Sequence, residues 1–184
     1  IFTHLSVRVP GPEHHFLINP YNLMFDEITA SSLVKIDVEG HPVMDTPYMT
    51  NPAGFTIHSA IHMAREDAHA VMHLHTPHGQ AVSSMADGLM PSTKTAMILR
   101  NHGTLTVGET VGEAFLRMYY LERACEAQVL ALAGGVALLN HPPQGTPEKV
   151  AGQVGDAGFR MLSQALTWPA LLRKADRECA GFRD

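Results

Sequence analysis

Two histidines at the end of an apolar run constrain the fold of this 184-residue chain more than any other feature. His73 and His75 close a run that begins at Ala70, and Thr76-Pro77 then stops it. Such a run predicts a buried strand, in which residues i and i+2 point to the same face. We therefore expect the two imidazoles to aim at one point, while Leu74 packs on the other side of the strand.

A third histidine follows a second apolar segment. Residues 96–100 predict another strand, and His102 lies in the turn after it, where Gly103 lets the backbone bend sharply. Three neutral imidazoles with an open fourth position suit a catalytic divalent metal, most simply zinc. The His-x-His pair alone would be weak evidence for a metal, but the third histidine strengthens it. The sequence therefore predicts a metal site at His73, His75 and His102.

Composition bounds the remaining possibilities. The chain is 45% hydrophobic and 17% charged, which is enough for one globular core. Its formal net charge is -5 with scattered Lys and Arg, so no basic surface indicates a nucleic-acid partner. The longest apolar stretch, 129–139, is interrupted by Gly134-Gly135 and is too short to span a bilayer. With no visible signal peptide and two cysteines typical of reduced thiols, we expect a cytoplasmic protein.

Strands and helices are expected to alternate along the chain. The strands are predicted at 5–9, 15–18, 33–38, 70–75 and 96–100, and the helices at 52–65, 77–85 and 110–133. Residues 148–176 have a further helical pattern, which Pro169 could break. This mixture implies a layered α/β domain. His141-Pro142-Pro143 marks the only boundary, between a domain at 1–140 and a helical tail at 141–184. The start at Ile1, without Met and within an expected strand, predicts a trimmed N-terminus.

Other histidines and carboxylates receive simpler interpretations. His58 and His62 are spaced i, i+4 on a helix, but Ser59 stands where a zinc-protease motif has Glu, so packing or hydrogen bonding is favoured. His78, just after the first ligand strand, is a candidate for contact with substrate. The long helix is expected to have a charged outer face that contains Glu113, Glu122 and Glu126.

Five motifs occur in order: Leu5–Arg8, Phe16–Pro20, Ala53–His58, His73–Pro77 and Leu99–Gly103. Together they resemble the class II aldolase/adducin family, particularly its adducin-like branch, over most of residues 1–135. The resemblance implies a three-layer α/β/α fold with a largely antiparallel central sheet. It also implies a homotetramer with active sites at subunit interfaces and a small-molecule substrate. The family's three metal-binding histidines fall on His73, His75 and His102, for zinc or else Mn or Mg.

The departures from the family are informative. The acid/base Glu of the family's sugar-phosphate aldolases falls on Gly54, and an Asn of the first phosphate loop is replaced by His4. Tyr21, Asn22, Pro52 and Ala53 stand at other phosphate-binding positions and supply poorer donors. We take His4, Asn22 and Asn51 as candidate substrate-loop residues and His78 as the candidate catalytic group. Between Pro91 and Ser92 the family has a longer stretch, which is expected to be shortened or missing here.

Three functions remain open. The first is a metal-dependent carbon–carbon lyase that acts on a small hydroxy or keto carbonyl compound through a metal-stabilised enolate. Because decarboxylation needs no base to remove a hydroxyl proton, Gly54 favours a decarboxylase or an atypical aldolase. The second is a non-catalytic, cytoskeletal adducin-like module, against which the complete triad and the absence of a basic, disordered tail argue. The third, a sugar-phosphate epimerase, ranks lower because it needs proton-transfer groups that the sequence does not reveal.

Overall fold

A computed structural model describes residues 3–89, 95–139 and 142–184 of the chain. Its strands are β1 (His4–Arg8), β2 (Phe16–Ile18), β3 (Val34–Ile36), β4 (Ala70–Leu74), β5 (Ala96–Leu99) and β6 (Gly103–Gly108). Its helices are α1 (Pro52–Ala64), α2 (Pro77–Ser83), α3 (Val111–Leu132), α4 (Thr146–Met161) and α5 (Trp168–Glu178). Short 3-10 turns lie at Phe25–Glu27, Ala30–Ser32 and Val136–Leu138, and a π-helical turn at Leu162–Thr167 joins α4 to α5.

The described strands form one antiparallel sheet in the order β3-β2-β1-β4-β6-β5. On one face, Ile57 and Ile61 of α1 pack against an apolar cluster that includes Val71. On the other face, α2 and α3 cover Ala70 and Met72. This arrangement confirms the three-layer α/β fold with an antiparallel sheet, and it separates the α1 side of the sheet from the α3 side.

Both faces of β1 pack against helices: the face that holds His4 and Ser6 is buried, and the face that holds Leu5 and Val7 is partly buried. Leu5 and Val7 pack on the α3 side, as alternation predicts. The alternate residues face α1, where Ser6 is fully buried and Arg8 donates a hydrogen bond to the carbonyl of His62. Polar residues on this face therefore meet a helix instead of solvent, which makes them structural partners of α1.

The sequence did not predict β6, which is the strand between β4 and β5 in the sheet. Its sequence GTLTVG has no apolar run, yet every residue is buried. Thr106 is accommodated because its hydroxyl donates to the carbonyl of Ala114, 2.8 Å away. At the start of the strand, a Cβ on Gly103 would collide with the carbonyl oxygen of Leu74, so only glycine allows this close approach to β4.

The α-helical pattern is interrupted just before Pro169: a π-helical turn at Leu162–Thr167 separates α4 from α5, and Pro169 lies in the first turn of α5. Another expectation, for α3, was wrong. Glu113 is not on an outer face: it is buried and accepts hydrogen bonds from the backbone N–H of Glu109 and from Gln164. Glu122 is also largely buried, whereas Glu126 is partly exposed beside Arg123.

The tail contacts α3 through Gln164 and through Trp168, whose side chain lies against Gly112. Residues 140–141 and 90–94 lie outside the described residues, so the predicted boundary at His141 and the short connection between Pro91 and Ser92 stay predictions. Within the described part of the chain, no helix is both long and apolar enough to cross a bilayer.

Candidate metal centre

The three predicted ligands meet at the end of β4. The Nε2 atom of His73 lies 2.9 Å from that of His75 and 3.1 Å from that of His102, and the last two are 3.0 Å apart. His73 is buried, His75 is partly buried and His102 is exposed, so the site opens toward solvent on one side. The strand periodicity and the turn after β5 thus bring together the residues that the sequence predicted.

The turn between β5 and β6 positions His102. Asn101 has a φ of 54°, in the left-handed region that asparagine tolerates better than most residues. Its backbone N–H donates to the carbonyl of Ser83, 2.9 Å away, which fixes the turn to the end of α2. A Cβ at Gly103, two residues after Asn101, would lie 3.0 Å from the ring of His75, and glycine has none. The turn can therefore fold closely over the end of β4.

Hydrogen bonding determines the tautomer of His73. Its Nδ1 lies 2.9 Å from the carbonyl oxygen of Thr104, which can only accept, so Nδ1 carries the proton and Nε2 offers a lone pair. Burial, assisted by the neighbouring imidazoles, lowers the pKa of His73 to about 4. Burial and His102 also lower the pKa of His75. Both rings are therefore neutral at physiological pH, which is the form that binds a metal.

The donor set fits a metal ion. Three atoms 2.9–3.1 Å apart share a point that can lie about 2.0–2.1 Å from each of them, the length of a zinc–nitrogen bond. With His75 and His102 in the same tautomer as His73, three lone pairs would converge here, and a cation between them would remove their mutual repulsion. The carbonyl of Thr104 also provides the outer hydrogen bond that commonly orients a metal-binding histidine.

His4 and Asn51 lie next to this centre. His4 pairs directly with His73 across β1 and β4, so the two side chains share the α1 side of the sheet. The Nδ2 of Asn51 lies 3.1 Å from Nε2 of His4, which places an amide donor against that ring nitrogen. A Cβ on Gly54 would lie 2.5 Å from Nδ1 of His4, so the His4 ring fills the space that a side chain at position 54 would need.

The third loop candidate, Asn22, has a different contact. Its Oδ1 accepts a hydrogen bond from the backbone N–H of Met49, 3.1 Å away, and its side chain is exposed. This bond connects the loop after β2 to the segment before α1. The predicted contacts of His4, Asn22 and Asn51 with substrate stay predictions.

His58 and His62 form a buried hydrogen-bonded chain with Ser6. The Nδ1 of His62 donates to the carbonyl of Ala68 at 2.7 Å, so its Nε2 must accept from the Ser6 hydroxyl, 2.8 Å away. The hydroxyl oxygen then accepts from Nδ1 of His58 at 2.6 Å. Burial lowers the pKa of His58 to about 3 and that of His62 to about 4. Neither belongs to the ligand group among the described residues, in agreement with the packing role that the sequence favoured.

His78 lies elsewhere in the described fold. Its Nδ1 is 3.2 Å from a carboxylate oxygen of Glu122 on α3, and the Thr76 hydroxyl donates to the other oxygen. These contacts are on the α3 side of the sheet, whereas His73 lies on the α1 side. The catalytic role of His78 stays a prediction. The sequence did not reveal that Glu122 is the partner of Thr76 and His78, because helix periodicity says nothing about side chains that approach from another segment.

Comparison with known proteins gives consistent results. The sequence model of the Class II Aldolase and Adducin N-terminal domain matches residues 1–95 and 86–129. A Caulobacter vibrioides protein named as an aldolase class 2 protein is 48% identical over all of this chain and 84% of its own length. Rat alpha-adducin is 41% identical over 73% of this chain, which corresponds to 24% of the adducin.

Two solved structures extend the comparison to the fold. An aldolase II superfamily protein from Pseudomonas syringae has a TM-score of 0.89 and 41% identity, over all of this chain and 87% of its own. An L-fuculose 1-phosphate aldolase from Glaciozyma antarctica has a TM-score of 0.83 and 30% identity, over 99% of this chain and 83% of its own. The described sheet, the histidine triad and these matches lead to one conclusion: the chain belongs to the class II aldolase/adducin family.

Proposed function

We propose that this protein is a divalent-metal-dependent carbon–carbon lyase, of the aldolase or decarboxylase type, that acts on a small hydroxy or keto carbonyl compound. The observation that carries the proposal is the convergence of three imidazole Nε2 atoms within 3.1 Å of one another. The similarity to an L-fuculose 1-phosphate aldolase across nearly the whole chain supports the reaction class.

His73, His75 and His102 would hold the cation. We propose zinc in preference to Mg or Mn, because imidazole nitrogens suit zinc whereas carboxylate and carbonyl oxygens suit the other two. A divalent cation supplies Lewis acidity, which lowers the energy of the negative charge that develops on a substrate oxygen when a carbon–carbon bond breaks.

The residues of the chain would determine which bond cleavage is favoured. Gly54 has no side chain that could remove a hydroxyl proton, and the His4 ring fills the adjacent space. Loss of carbon dioxide requires no such base: the electron pair of the broken bond stays with the organic fragment, which later takes one proton from solvent. Decarboxylation or an atypical aldol cleavage is therefore favoured over cleavage of a sugar phosphate.

We extend the proposal to a cytoplasmic homotetramer with its sites between subunits. On α3, Tyr119 and Tyr120 are both 52% exposed, and such large apolar surfaces are typical of subunit interfaces. His102 is exposed, which would let a neighbouring subunit complete the site. Size-exclusion chromatography with light scattering is expected to give four chains per particle.

The second candidate function is a non-catalytic adducin-like module, which the identity to alpha-adducin favours. It predicts an empty or degraded metal site. The two candidates therefore differ in metal content, which is measured directly on the purified protein. An epimerase ranks below both, because His78, the proton-transfer candidate, pairs with Glu122 on the other side of the sheet.

The test is metal content followed by activity. Elemental analysis is expected to find one zinc per chain in the wild type and almost none in His73→Ala, while His69→Ala, which changes an exposed histidine just before β4, keeps its zinc. The fully loaded wild type is then screened against hydroxy and keto acids for loss of carbon dioxide or release of an aldehyde. A protein that binds no divalent metal, or one that is fully loaded and cleaves none of these compounds, would contradict the proposal.

A further inference from the structure

The proposed metal site is made entirely of neutral ligands. Among the described residues, the group that could hold a cation contains three histidines and no Asp or Glu. These three ligands would therefore neutralise neither of the two positive charges of a divalent cation.

The neighbouring side chains do not supply the missing negative charge. Position 54, in the first turn of α1, holds glycine, and the His4 ring lies where a side chain at that position would start. His4 is 4% exposed and is held between its strand partner His73 and the amide of Asn51. A carboxylate could enter from α1 only if this ring moved away.

A bound substrate would compensate this charge best if it carried a negative charge of its own. A cation in a partly buried site is less hydrated than in water, so an anionic ligand gains more there than a neutral one does. A carboxylate oxygen and the adjacent carbonyl or hydroxyl oxygen can also occupy two coordination positions together. A neutral hydroxyketone offers the same two oxygens without the charge.

We infer that this centre takes substrates that supply their own carboxylate, namely 2-oxo or 2-hydroxy acids. Gly54 sets this preference because it supplies no carboxylate, and His4 supports it because its ring fills the space that a carboxylate at position 54 would need. The inference rests on the proposed function, since it requires a cation on the three histidines. It goes further, because it names the substrate class and the pair of residues that select it.

Pyruvate and hydroxyacetone provide a matched pair of probes. They differ by a single heavy atom. Both carry a methyl ketone, and the remaining carbon is a carboxylate in pyruvate and a hydroxymethyl group in hydroxyacetone. Protein loaded with cobalt(II) is titrated with each by calorimetry, and the visible cobalt absorption reports binding at the metal. Pyruvate is expected to bind at least tenfold more tightly. Equal binding, or tighter binding of hydroxyacetone, would overturn the inference.

A double variant tests the role of the residue pair. His4→Ala with Gly54→Glu makes space for a carboxylate beside the triad and supplies one, so the pyruvate preference is expected to fall at least fivefold while cobalt still binds. The matched controls are His4→Ala alone and His4→Ala with Gly54→Gln, which make the same space without charge and are expected to keep the preference. If the Glu variant binds cobalt and the ratio of its affinities for pyruvate and hydroxyacetone is unchanged, then His4 and Gly54 do not set the preference.

The two levels of the argument fail differently. If the wild type binds no cobalt, the proposed function itself is wrong. If it binds cobalt and the spectrum responds equally to both probes, the metal centre stands and only the substrate class is wrong. Circular dichroism of each variant confirms folding, and the wild-type comparison tests the substrate class even if a variant does not fold.

Discussion

Replacing Ser6 by alanine removes one hydroxyl that two buried imidazoles share. Ser6 is fully buried, and its oxygen lies 2.6 Å from Nδ1 of His58 and 2.8 Å from Nε2 of His62. Alanine fits the same space, so the backbone need not move. The change leaves one N–H donor and one nitrogen lone pair without a partner, in a place that water does not reach.

The expected cost follows from these two groups. Each buried polar group left without a partner costs about 1–3 kcal/mol, so the free energy of unfolding should fall by about 2–6 kcal/mol. A typical domain has only about 5–15 kcal/mol in total, so this loss is a large fraction. For a chain of this size, at about 2–4 °C per kcal/mol, it corresponds to a decrease in Tm of roughly 4–24 °C.

Urea unfolding at pH 7.5, followed by circular dichroism, measures the change. The midpoint should fall while the slope with urea stays the same, because the surface exposed on unfolding does not change. Ser59→Ala is the matched control. Ser59 lies next to His58 on α1, and its hydroxyl donates one exposed hydrogen bond of 3.3 Å to the carbonyl of Thr56, so its loss should cost less than about 0.5 kcal/mol. If Ser6→Ala lost no more stability than this control, the hydrogen-bonded chain would not stabilise the fold.

Three other predictions follow from the same structure. Burial lowers the pKa values of the two imidazoles beside Ser6 to about 3 and about 4, below the usual 6.5. The unfolded chain therefore takes up protons first as the pH falls. The free energy of unfolding should decrease between about pH 6.5 and pH 4, by on the order of 1.4 kcal/mol per pH unit for each of the two histidines. Urea titrations at several pH values measure this decrease, and a flat profile would contradict it. Gly103→Ala places a Cβ against the carbonyl oxygen of Leu74 and 3.0 Å from the ring of His75, so the turn that holds His102 must shift. Zinc binding should weaken at least tenfold in a chelator competition, whereas Gly152→Ala, in open space on α4, should leave it unchanged. Glu113→Ala removes a buried carboxylate that binds the tail and should lower the free energy of unfolding in urea by about 2–3 kcal/mol. The control Glu126→Ala, at the surface, should lower it by less than about 1 kcal/mol. Similar losses would mean that the buried carboxylate does not hold the tail.

The shared orientation of His73 and His75 was predictable because it is local to one strand, whereas the approach of His102 to them spans more than twenty-five residues. Two histidines at i and i+2 of a strand must share a face, and Gly103 after His102 marks a tight turn. The helix that begins at Thr110 was equally predictable, since the Thr110 side chain caps it by accepting from the N–H of Glu113. These features depend only on residues a few positions apart. The order of the family's motifs then connected the local features to one known architecture.

The strand β6 shows where this reasoning fails. Its threonines and glycines do not form an apolar run, and they are buried only because β4, β5 and α3 surround them. Glu113 and Glu122 give the same lesson for a helix. Helical periodicity assigns charged residues to the outside, but Gln164 and Thr76 approach these carboxylates from other parts of the chain.

The sequence by itself therefore determined the family, the layered α/β class and the identity of the three histidines, because periodicity and turn chemistry act between neighbours. Only the tertiary structure decided what surrounds them. His4 fills the space beside Gly54, and Ser6 joins two histidines from α1, because β1 and α1 pack together across some fifty residues. A buried polar group must find its partner wherever the fold brings one, and that partner need not be near it in the sequence.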